Sequence, residues 1–526
     1  MNVSANKLGR NLQFRRLFDF INIVFIILFV HYFALNIFGD IYKFIVSAVF
    51  FAPMILLGLF LLPRINRKFK DISPQSLNRA LAVMNVISFA LMLVFAIVMR
   101  TEYYNDANEY VWDYGMVCDT AYRYAKYGEL CVVDPNILPR YPNNHCIIYF
   151  LYYVFKLVHF IFPNMSVNGY QLIAVVINCL FIETAVIFTL KLASKLLSPK
   201  KVFACGCLLC TCIPIYAYAP FYYTDTLAMP FVVGLLYVYV CACEEKSAGK
   251  KILLALLFSV LLVIGFQIKA TVIFVAAAVL FDMIFRRKTL KVSYKHILIV
   301  LVSFMLLNNC LSNVYSKTLG VTEEDYDTHK YPVTHWVMMA LNEEGRGSWV
   351  RTDDFLTRNA GNYDDKVEAN IDEIKRRVDD MGAWRMVKHV FYTKAFNTWA
   401  ASTLSADRFL SLYPKHENIL HEFFTYTGKY HPLYVAASML WHSALMLLVA
   451  LSAIKNYAAK SFDKMLIIFL PLLILALFLM VWESDARYIF HMFPLMVIAG
   501  ADSLDFVLKI SEKFNSKVNS IRHKAA

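Results

Sequence analysis

Residues 101–142 read TEYYNDANEYVWDYGMVCDTAYRYAKYGELCVVDPNILPRYP, a polar and aromatic interval that directly follows a long apolar run. Two of its carboxylates, Asp113 and Asp119, lie near the start of a segment whose composition favours a helix. Acidic side chains placed just beyond an apolar run indicate a loop at a membrane surface. The interpretation of the chain therefore depends on which side of the membrane this loop faces.

The composition is that of a polytopic membrane protein. Of 526 residues, 59% are hydrophobic, and the mean hydropathy of +0.51 is too high for a soluble chain of this length. Repeated apolar runs of about 18 to 25 residues match the helix length that crosses a hydrocarbon core. The predicted fold class is an all-α polytopic protein of the cell membrane.

The positive charge of the chain does not indicate nucleic acid. Lys and Arg exceed Asp and Glu by 13, but the surplus lies in short loops and tails between apolar runs, as the positive-inside rule expects. We therefore predict the lipid bilayer as a partner and exclude nucleic acid. Most of the eleven cysteines lie within apolar runs, where they act as small hydrophobic residues. Cys118 and Cys131 are the pair that could join outside the membrane.

The basic segments orient the helices. Four basic residues occur in the first 16, and the loop at 64–79 carries five. Placing both segments in the cytoplasm puts the interval 101–142 on the external face. Residues 144–162 contain Lys156 and His159 and are rich in Tyr and Phe, so they are predicted to form a membrane-surface helix.

With this assignment the chain crosses the membrane about twelve times and both termini are cytoplasmic. The predicted crossings are residues 17–38, 43–63, 80–99, 169–190, 202–219, 227–243, 252–266, 270–285, 295–312, 431–454, 465–482 and 487–508. The predicted parts of the chain are the tail and first three helices (1–99), the first external loop with surface helices (100–168), a helical core (169–312), an external insert (313–430) and the C-terminal helices with a basic tail (431–526).

Two helices are predicted within the insert. Val367, Ile371, Ile374, Val378 and Met381 recur at spacings of four and three, which indicates one face of an amphipathic helix. A second helix, lying at the membrane interface, is predicted from a further set of large apolar residues. These are Trp384, Val387, Phe391 and Trp399.

Charged residues from distant loops fall on the predicted external face. Asp225 lies in the turn FYYTD, Lys269 lies at the tip of a helical pair, and Arg487 opens the last crossing beside Glu483. Each has a structural explanation, since an Asp caps helices and a Lys or Arg anchors helix depth. Charged groups at helix mouths are costly, however, so several on one face predict a functional site.

Motifs of the first loop carry a family resemblance. Asp113 precedes Ala121, Ala125 and Gly128, and YPNNHCIIYF follows from Tyr141. In this order the motifs resemble the GT-C membrane glycosyltransferases, which include protein O-mannosyltransferases and the aminoarabinose transferase of lipid A, and in particular a Gram-positive cell-envelope branch. The resemblance covers about residues 80 to 508.

The resemblance implies a GT-C-like fold and an enzyme that moves a sugar from a polyprenyl-phosphate carrier to an external acceptor. The acceptor would be a cell-wall polysaccharide, a teichoic acid, a glycolipid or a protein. The implied catalytic residues are Asp113, with Asp119 as the alternative base, and Asp225. The implied ligands of the carrier phosphate are Lys269 and Arg487, and the implied contacts of sugar or acceptor are Asn143, Asn144, His335 and Glu483.

No cofactor and no protein metal site are expected, because the lipid-linked sugar is a substrate. A divalent cation at the phosphate is left open. Two other classes share the helix count: a polysaccharide polymerase or ligase, and a lipid-linked sugar flippase or transporter. A transporter is expected to carry charges near the bilayer midplane, and Glu183, inside the crossing 169–190, is the exception to an otherwise apolar pattern.

Overall fold

A computed structural model describes residues 12–68, 72–128, 134, 136–286, 294–460 and 465–525. These residues form helices and loops, with isolated bridges at Thr101–Pro414 and Tyr104–Tyr110 in place of a sheet. The predicted all-α membrane fold is confirmed. Cys131 and the basic residues before position 12 lie outside the described residues, so the proposed cysteine pair stays a prediction.

The helices are numbered in chain order. The first thirteen are α1 (Leu12–Phe38), α2 (Ile41–Val46), α3 (Ala52–Lys68), α4 (Pro74–Val98), α5 (Asp113–Tyr127), α6 (Ile137–Arg140), α7 (His145–Ile161), α8 (Val167–Leu196), α9 (Pro199–Cys210), α10 (Ile213–Ala217), α11 (Thr224–Leu227), α12 (Met229–Glu244) and α13 (Ala248–Ile268). The others are α14 (Ile273–Arg286), α15 (Tyr294–Leu319), α16 (Glu323–His329), α17 (Val333–Ala340), α18 (Arg351–Arg358), α19 (Tyr363–Lys388), α20 (Ala395–Trp399), α21 (Ala406–Leu410), α22 (His421–Phe424), α23 (His431–Ala458), α24 (Leu466–Val481), α25 (Phe493–Asp502) and α26 (Leu504–Ala525).

Within the described ranges, nine helical segments are long and apolar enough to cross a membrane. They are Arg16–Phe38, Ile41–Lys68, Pro74–Val98, Pro142–Ile161, Val167–Leu196, Thr224–Glu244, Ala248–Ile268, Lys295–Leu319 and His431–Ala458. Two further apolar helices, Ala270–Phe285 and Leu466–Val481, are shorter. By length and composition Pro142–Ile161 qualifies as a crossing, whereas the sequence predicted a surface helix there.

Two of the predicted crossings are interrupted. The segment 202–219 is divided between α9 and α10, and 487–508 starts as a 3-10 turn, Ala486–Met492, before α25. Pro214 and Pro494 each lie in the first turn of the helix that follows the break. Proline has no amide N–H to continue a preceding helix, so it is tolerated in that first turn. Each break brings loop residues close to the ends of other helices.

Helices α8, α12, α23 and α25 form the packed centre. Every residue of α25 is buried, and α12 packs against both α8 and α13. The apolar window of α15 contains no buried residue, and Leu301, Met305 and Leu306 are exposed, as expected for a helix with one face toward lipid. Glu183 of α8 accepts a hydrogen bond from the Asn85 amide of α4, so the intramembrane carboxylate is paired across two helices.

The insert begins later than predicted, because α15 continues through position 313 to Leu319. Its end is tied to the first loop: Glu102 N donates to Tyr413 O at 2.8 Å, and Lys415 N donates to Arg100 O at 2.9 Å. These bonds hold the segment before α22 over the start of the interval 101–142.

The predicted amphipathic helix is α19, but Met381 alone of its predicted apolar face is buried. Ile371 and Val378 are exposed, whereas Lys366 and Asn370 are buried against the rest of the insert. The helix kinks at Gly382, which has φ +60°, a conformation that glycine adopts without strain. Beyond the kink Trp384 is 79% exposed, as an interfacial position requires, while Trp399 is buried.

Candidate functional site

Four chain segments bring the predicted site residues together. They are the start of α5, the α10–α11 loop, the turn between α13 and α14, and the loop after α24. Trp112 is extended, so α5 begins at Asp113, where a carboxylate suits the positive end of the helix dipole. Asp485 caps the 3-10 turn that follows it by accepting from Arg487 N at 3.1 Å.

The centre of the site is an ion cluster around Asp225, which is 1% exposed. Lys269 Nζ donates to its Oδ1 at 2.8 Å, and Arg487 Nη1 lies 3.8 Å from its Oδ2. Asp485 Oδ2 lies 3.4 Å from Arg487 Nε. Neither Asp225 Oδ2 nor Arg487 Nε has a hydrogen-bond partner among the described residues, although both atoms are buried.

Aromatic rings surround the guanidinium group. The Arg487 Cζ lies 5.5 Å from the ring centre of Trp112, 5.7 Å from Tyr223, 5.8 Å from Phe409 and 5.3 Å from Tyr488. Such faces stabilise a desolvated cation, and they also limit where its N–H groups can point. The cation is therefore held in place largely by rings rather than by hydrogen bonds.

Asp113 lies at the edge of this cluster and is half-buried. The hydroxyl of Tyr223 donates to its Oδ2 at 2.9 Å. Burial, together with the nearby Asp113 carboxylate, raises the pKa of Tyr223 well above its ordinary range, so this phenol stays protonated as a donor. Tyr223 thus links Asp113 to the ring cage of Arg487.

Glu483 provides a second carboxyl group with an unusual environment. It is 6% exposed and accepts from the Tyr488 hydroxyl at 2.5 Å. Burial raises the pKa of the Glu483 carboxyl to about 7, against the opposing influence of Tyr488 and Arg487. A group that titrates near neutral pH can hold or release a proton during a reaction.

Asp119 has a different environment from Asp113. It is 2% exposed and accepts from Arg123 Nε at 2.8 Å, from Tyr110 at 3.1 Å and from Tyr104. All of these partners belong to the first loop and α5. All three bonds are accepted by one oxygen, Oδ2, and this pairing within the loop suits a structural role.

The remaining predicted residues lie elsewhere. Asn143 is exposed, while Asn144 is buried and accepts from the Asn143 amide at 3.3 Å. His335 is buried inside the insert with its Nδ1 2.7 Å from Thr357 Oγ1 and its ring 4.5 Å from Tyr331. Burial lowers the pKa of His335 to about 4. Their proposed contacts with sugar or acceptor stay predictions.

Sequence reasoning did not select the aromatic part of the site. Tyr223 could have been found, because it lies two positions before Asp225 in FYYTD. No sequence motif marked Phe409 of α21 as part of the site, yet its ring stacks on Trp112 with ring centres 3.8 Å apart. In the described part of the chain, no three His, Cys, Asp or Glu side chains converge to form a metal site.

Several solved structures are similar to the chain. Archaeal oligosaccharyltransferase AglB from Archaeoglobus fulgidus, in complex with an inhibitory peptide and a dolichol-phosphate, shares 12% identity at a TM-score of 0.41 and aligns over 83% of this chain and 52% of its own. The apo form of the Archaeoglobus fulgidus oligosaccharyltransferase shares 14% identity at a TM-score of 0.42, over 84% and 52%. The chain thus spans about half the length of these structures, and scores of this size support no conclusion about fold or activity.

Sequence comparison assigns the chain to a family. No curated protein matches it. The profile of a family described as conserved hypothetical integral membrane protein matches residues 12–506, which include the ion cluster and all the candidate crossings. The chain therefore belongs to this family of conserved hypothetical integral membrane proteins.

Proposed function

We propose that this protein is a membrane glycosyltransferase of the GT-C type, which moves a sugar from a polyprenyl-phosphate donor to an acceptor on the external face. The observation that carries the proposal is the incompletely satisfied ion cluster: Arg487 Nε and Asp225 Oδ2 are buried without hydrogen-bond partners. Buried polar atoms without partners are rare and costly. Their presence beside Lys269 favours a charged ligand that completes the cluster.

The donor phosphate would be that ligand. Lys269 and Arg487 are the two cations of the cluster, and both approach the same carboxylate, Asp225. Arg487 is the more weakly held, at 3.8 Å from Asp225, so its guanidinium has donors available for a phosphate oxygen. Stabilising the charge that develops on a leaving phosphate is the main electrostatic requirement of such a reaction.

Asp113 would act as the base. The acceptor hydroxyl oxygen attacks the anomeric carbon, its proton passes to the Asp113 carboxylate, and the bond between that carbon and the phosphate oxygen breaks, so that polyprenyl phosphate leaves. The Tyr223 hydroxyl, 2.9 Å from Asp113 Oδ2, would orient the carboxylate while the other oxygen receives the proton. Attack opposite the phosphate predicts inversion at the anomeric carbon.

The proposed acceptor is a cell-envelope polysaccharide, teichoic acid, glycolipid or protein, and the proposed location is the cell membrane with the site facing outward. The experiment that tests the activity uses purified protein in lipid nanodiscs, a panel of polyprenyl-phosphate sugars and an extract of envelope acceptors. Release of polyprenyl phosphate that requires both protein and acceptor supports the proposal. Movement of the lipid-linked sugar between leaflets of proteoliposomes without release would instead support a flippase.

A further inference from the structure

A polar cavity lies in the insert, apart from the ion cluster. Its volume is about 410 Å³, and its walls come from α18, from α19 and from the loop that follows α17. Cavities of this size accommodate small ligands or short segments of larger ones. The mechanism proposed above makes no use of it.

The cavity is lined mainly by charged groups that are already paired. Five carboxylates and three guanidinium groups contribute to its walls. Arg377 lies 2.6 Å from Asp353 and 2.6 Å from Glu373, and Arg376 lies 2.7 Å from Asp380. Two arginines lower the pKa of Glu373 to about 2, so this carboxylate stays ionised. The inner wall at Asp353, Glu373 and Arg377 is therefore held in both geometry and charge, whereas the pair of Arg376 with Asp380 lies on the exposed rim.

This lining selects a class of ligand. The excess of carboxylates disfavours anions, and the guanidinium groups that would bind a phosphate are engaged by Asp and Glu. A carboxylate that is paired with an arginine still has lone pairs that can accept hydrogen bonds from a ligand. The paired guanidinium groups still have N–H groups that can donate hydrogen bonds to a ligand. Sugar hydroxyls both donate and accept, so they match such a surface without carrying a charge of their own.

The cavity is linked directly to the candidate active site. Asn342, at its wall, bonds Asp353 at 3.1 Å and organises the loop 342–348 by accepting from Gly345 N and Gly347 N. Ser484 N donates to Gly347 O at 2.7 Å, and Ser484 Oγ donates to Arg346 O at 2.8 Å. The loop that walls the cavity therefore rests on the residue that follows Glu483.

We propose that this cavity binds a neutral, hydroxyl-rich glycan segment of the acceptor, and that the loop 342–348 positions the acceptor next to Glu483 and Asp113. The proposal rests on the proposed glycosyltransferase function for its purpose, but glycan binding itself requires neither donor nor turnover. Its failure is therefore distinguishable from failure of the transfer reaction.

The test measures binding of the purified full chain, in nanodiscs and without donor, to an array of neutral, phosphate-bearing and amino-sugar oligosaccharides and of peptides. Thr352 is exposed and lines the cavity, so Thr352→Trp fills it from its rim. Lys375→Trp places the same side chain on an exposed position of α19 outside the lining and serves as the control. Glu344→Leu removes an exposed carboxylate of the wall and gives a second, smaller change.

We expect the native chain and Lys375→Trp to retain neutral oligosaccharides equally, and Thr352→Trp to bind them at least about tenfold more weakly, with Glu344→Leu in between. Thermal unfolding measured on each variant confirms that the compared samples are folded. The proposal is overturned if neutral glycans are not retained, if amino-sugar glycans, phosphate-bearing glycans or peptides are retained in preference to them, or if Thr352→Trp binds like the native chain.

Discussion

The amine of Lys269 donates to Oδ1 of Asp225 at 2.8 Å, joining the turn after α13 to the start of α11 across 44 positions of sequence. The same carboxylate faces Arg487 through its other oxygen, which has no hydrogen-bond partner among the described residues. One carboxylate thus faces both cations, and the buried Nε of Arg487 remains a donor without a hydrogen-bond partner among the described residues. This arrangement is suited to receiving a phosphate without rebuilding the site.

Replacing either cation should weaken donor binding. Charge-assisted hydrogen bonds contribute roughly 1.5–3 kcal/mol, so Lys269→Ala and Arg487→Ala should each lower affinity for polyprenyl phosphate about tenfold or more. Lys415→Ala is the control, because Lys415 is also paired, with Glu102, but lies outside the cluster. The measurement is binding of a fluorescent polyprenyl phosphate. Removing a cation leaves the buried Asp225 carboxylate with fewer partners and destabilises the fold, so the affinity is corrected for the fraction of protein that is folded. Native affinity in both variants would remove these residues from the phosphate site.

The two carboxylates of α5 should differ in their effect on stability. Asp119→Asn removes the charge from a buried pair with Arg123 and should lower the free energy of unfolding by about 1–3 kcal/mol. Asp113→Asn keeps an oxygen that can accept from Tyr223 and should change it by less than about 1 kcal/mol. Thermal unfolding in one detergent compares the two. If Asp113→Asn lowers the free energy of unfolding more than Asp119→Asn does, the structural role belongs to Asp113 and the assignment made here is wrong.

Glu483 should make stability depend on pH. Burial raises its pKa from 4.5 to about 7, so the folded protein binds this proton more tightly than the unfolded chain does. The contribution of Glu483 to the free energy of unfolding should therefore fall as pH rises from about 4.5 to about 7. Buried His335, whose pKa is lowered to about 4, contributes the opposite slope, so the comparison of native and variant profiles isolates Glu483. Glu483→Gln should remove that part of the dependence in thermal unfolding measured across the window.

Several charged or titratable groups face the Glu483 carboxyl. They are Asp113, Asp485, Arg487 and Tyr488. Lys394, whose pKa burial lowers to about 7, makes the protein more stable as pH rises above that value, which is the opposite sign. An unchanged pH profile in Glu483→Gln would contradict the assignment.

The sidedness of the membrane helices can be tested by cysteine labelling. A cysteine at Asp364 in the insert should react with an impermeant reagent added to intact cells, whereas one at Lys68, the last residue of α3, should react only after permeabilisation. Both positions are exposed. Cys310, which is exposed, and Cys131, which is predicted to lie outside the membrane, are replaced by Ser in the parent used for labelling. The reverse pattern would place the ion cluster in the cytoplasm.

The proximity of four charged residues could be predicted from local sequence pattern. Asp113, Asp225, Lys269 and Arg487 were assigned to one membrane face from the order of apolar runs, and the structure brings all four together. The order of the crossings is enough for this prediction, because it shows which helix ends share one membrane face, and the ends of neighbouring helices on one face lie close together. The interruption at Pro494 could also have been expected from proline chemistry.

The packing of the insert could not be predicted in the same way. Apolar periodicity identified α19, but Ile371 and Val378 of the predicted face are exposed, whereas Lys366 and Asn370 are buried. An amphipathic pattern gives the direction of the core only when the solvent is water, and beside a membrane both faces can be covered. Phe409 and Trp112 are almost 300 positions apart in the sequence, so their contact depends on the whole tertiary fold and local sequence pattern could not predict it.

The central claim, that Asp113 serves a transfer reaction at the ion cluster, is tested most directly by the rate of polyprenyl phosphate release with saturating donor and acceptor. General-base catalysis typically contributes roughly 10²–10⁴-fold, so Asp113→Asn should lose turnover by about that factor while still binding the donor. Asp119→Asn, assayed at a temperature where it is folded, should keep turnover close to that of the native protein. Full turnover in Asp113→Asn together with its loss in Asp119→Asn would contradict the account.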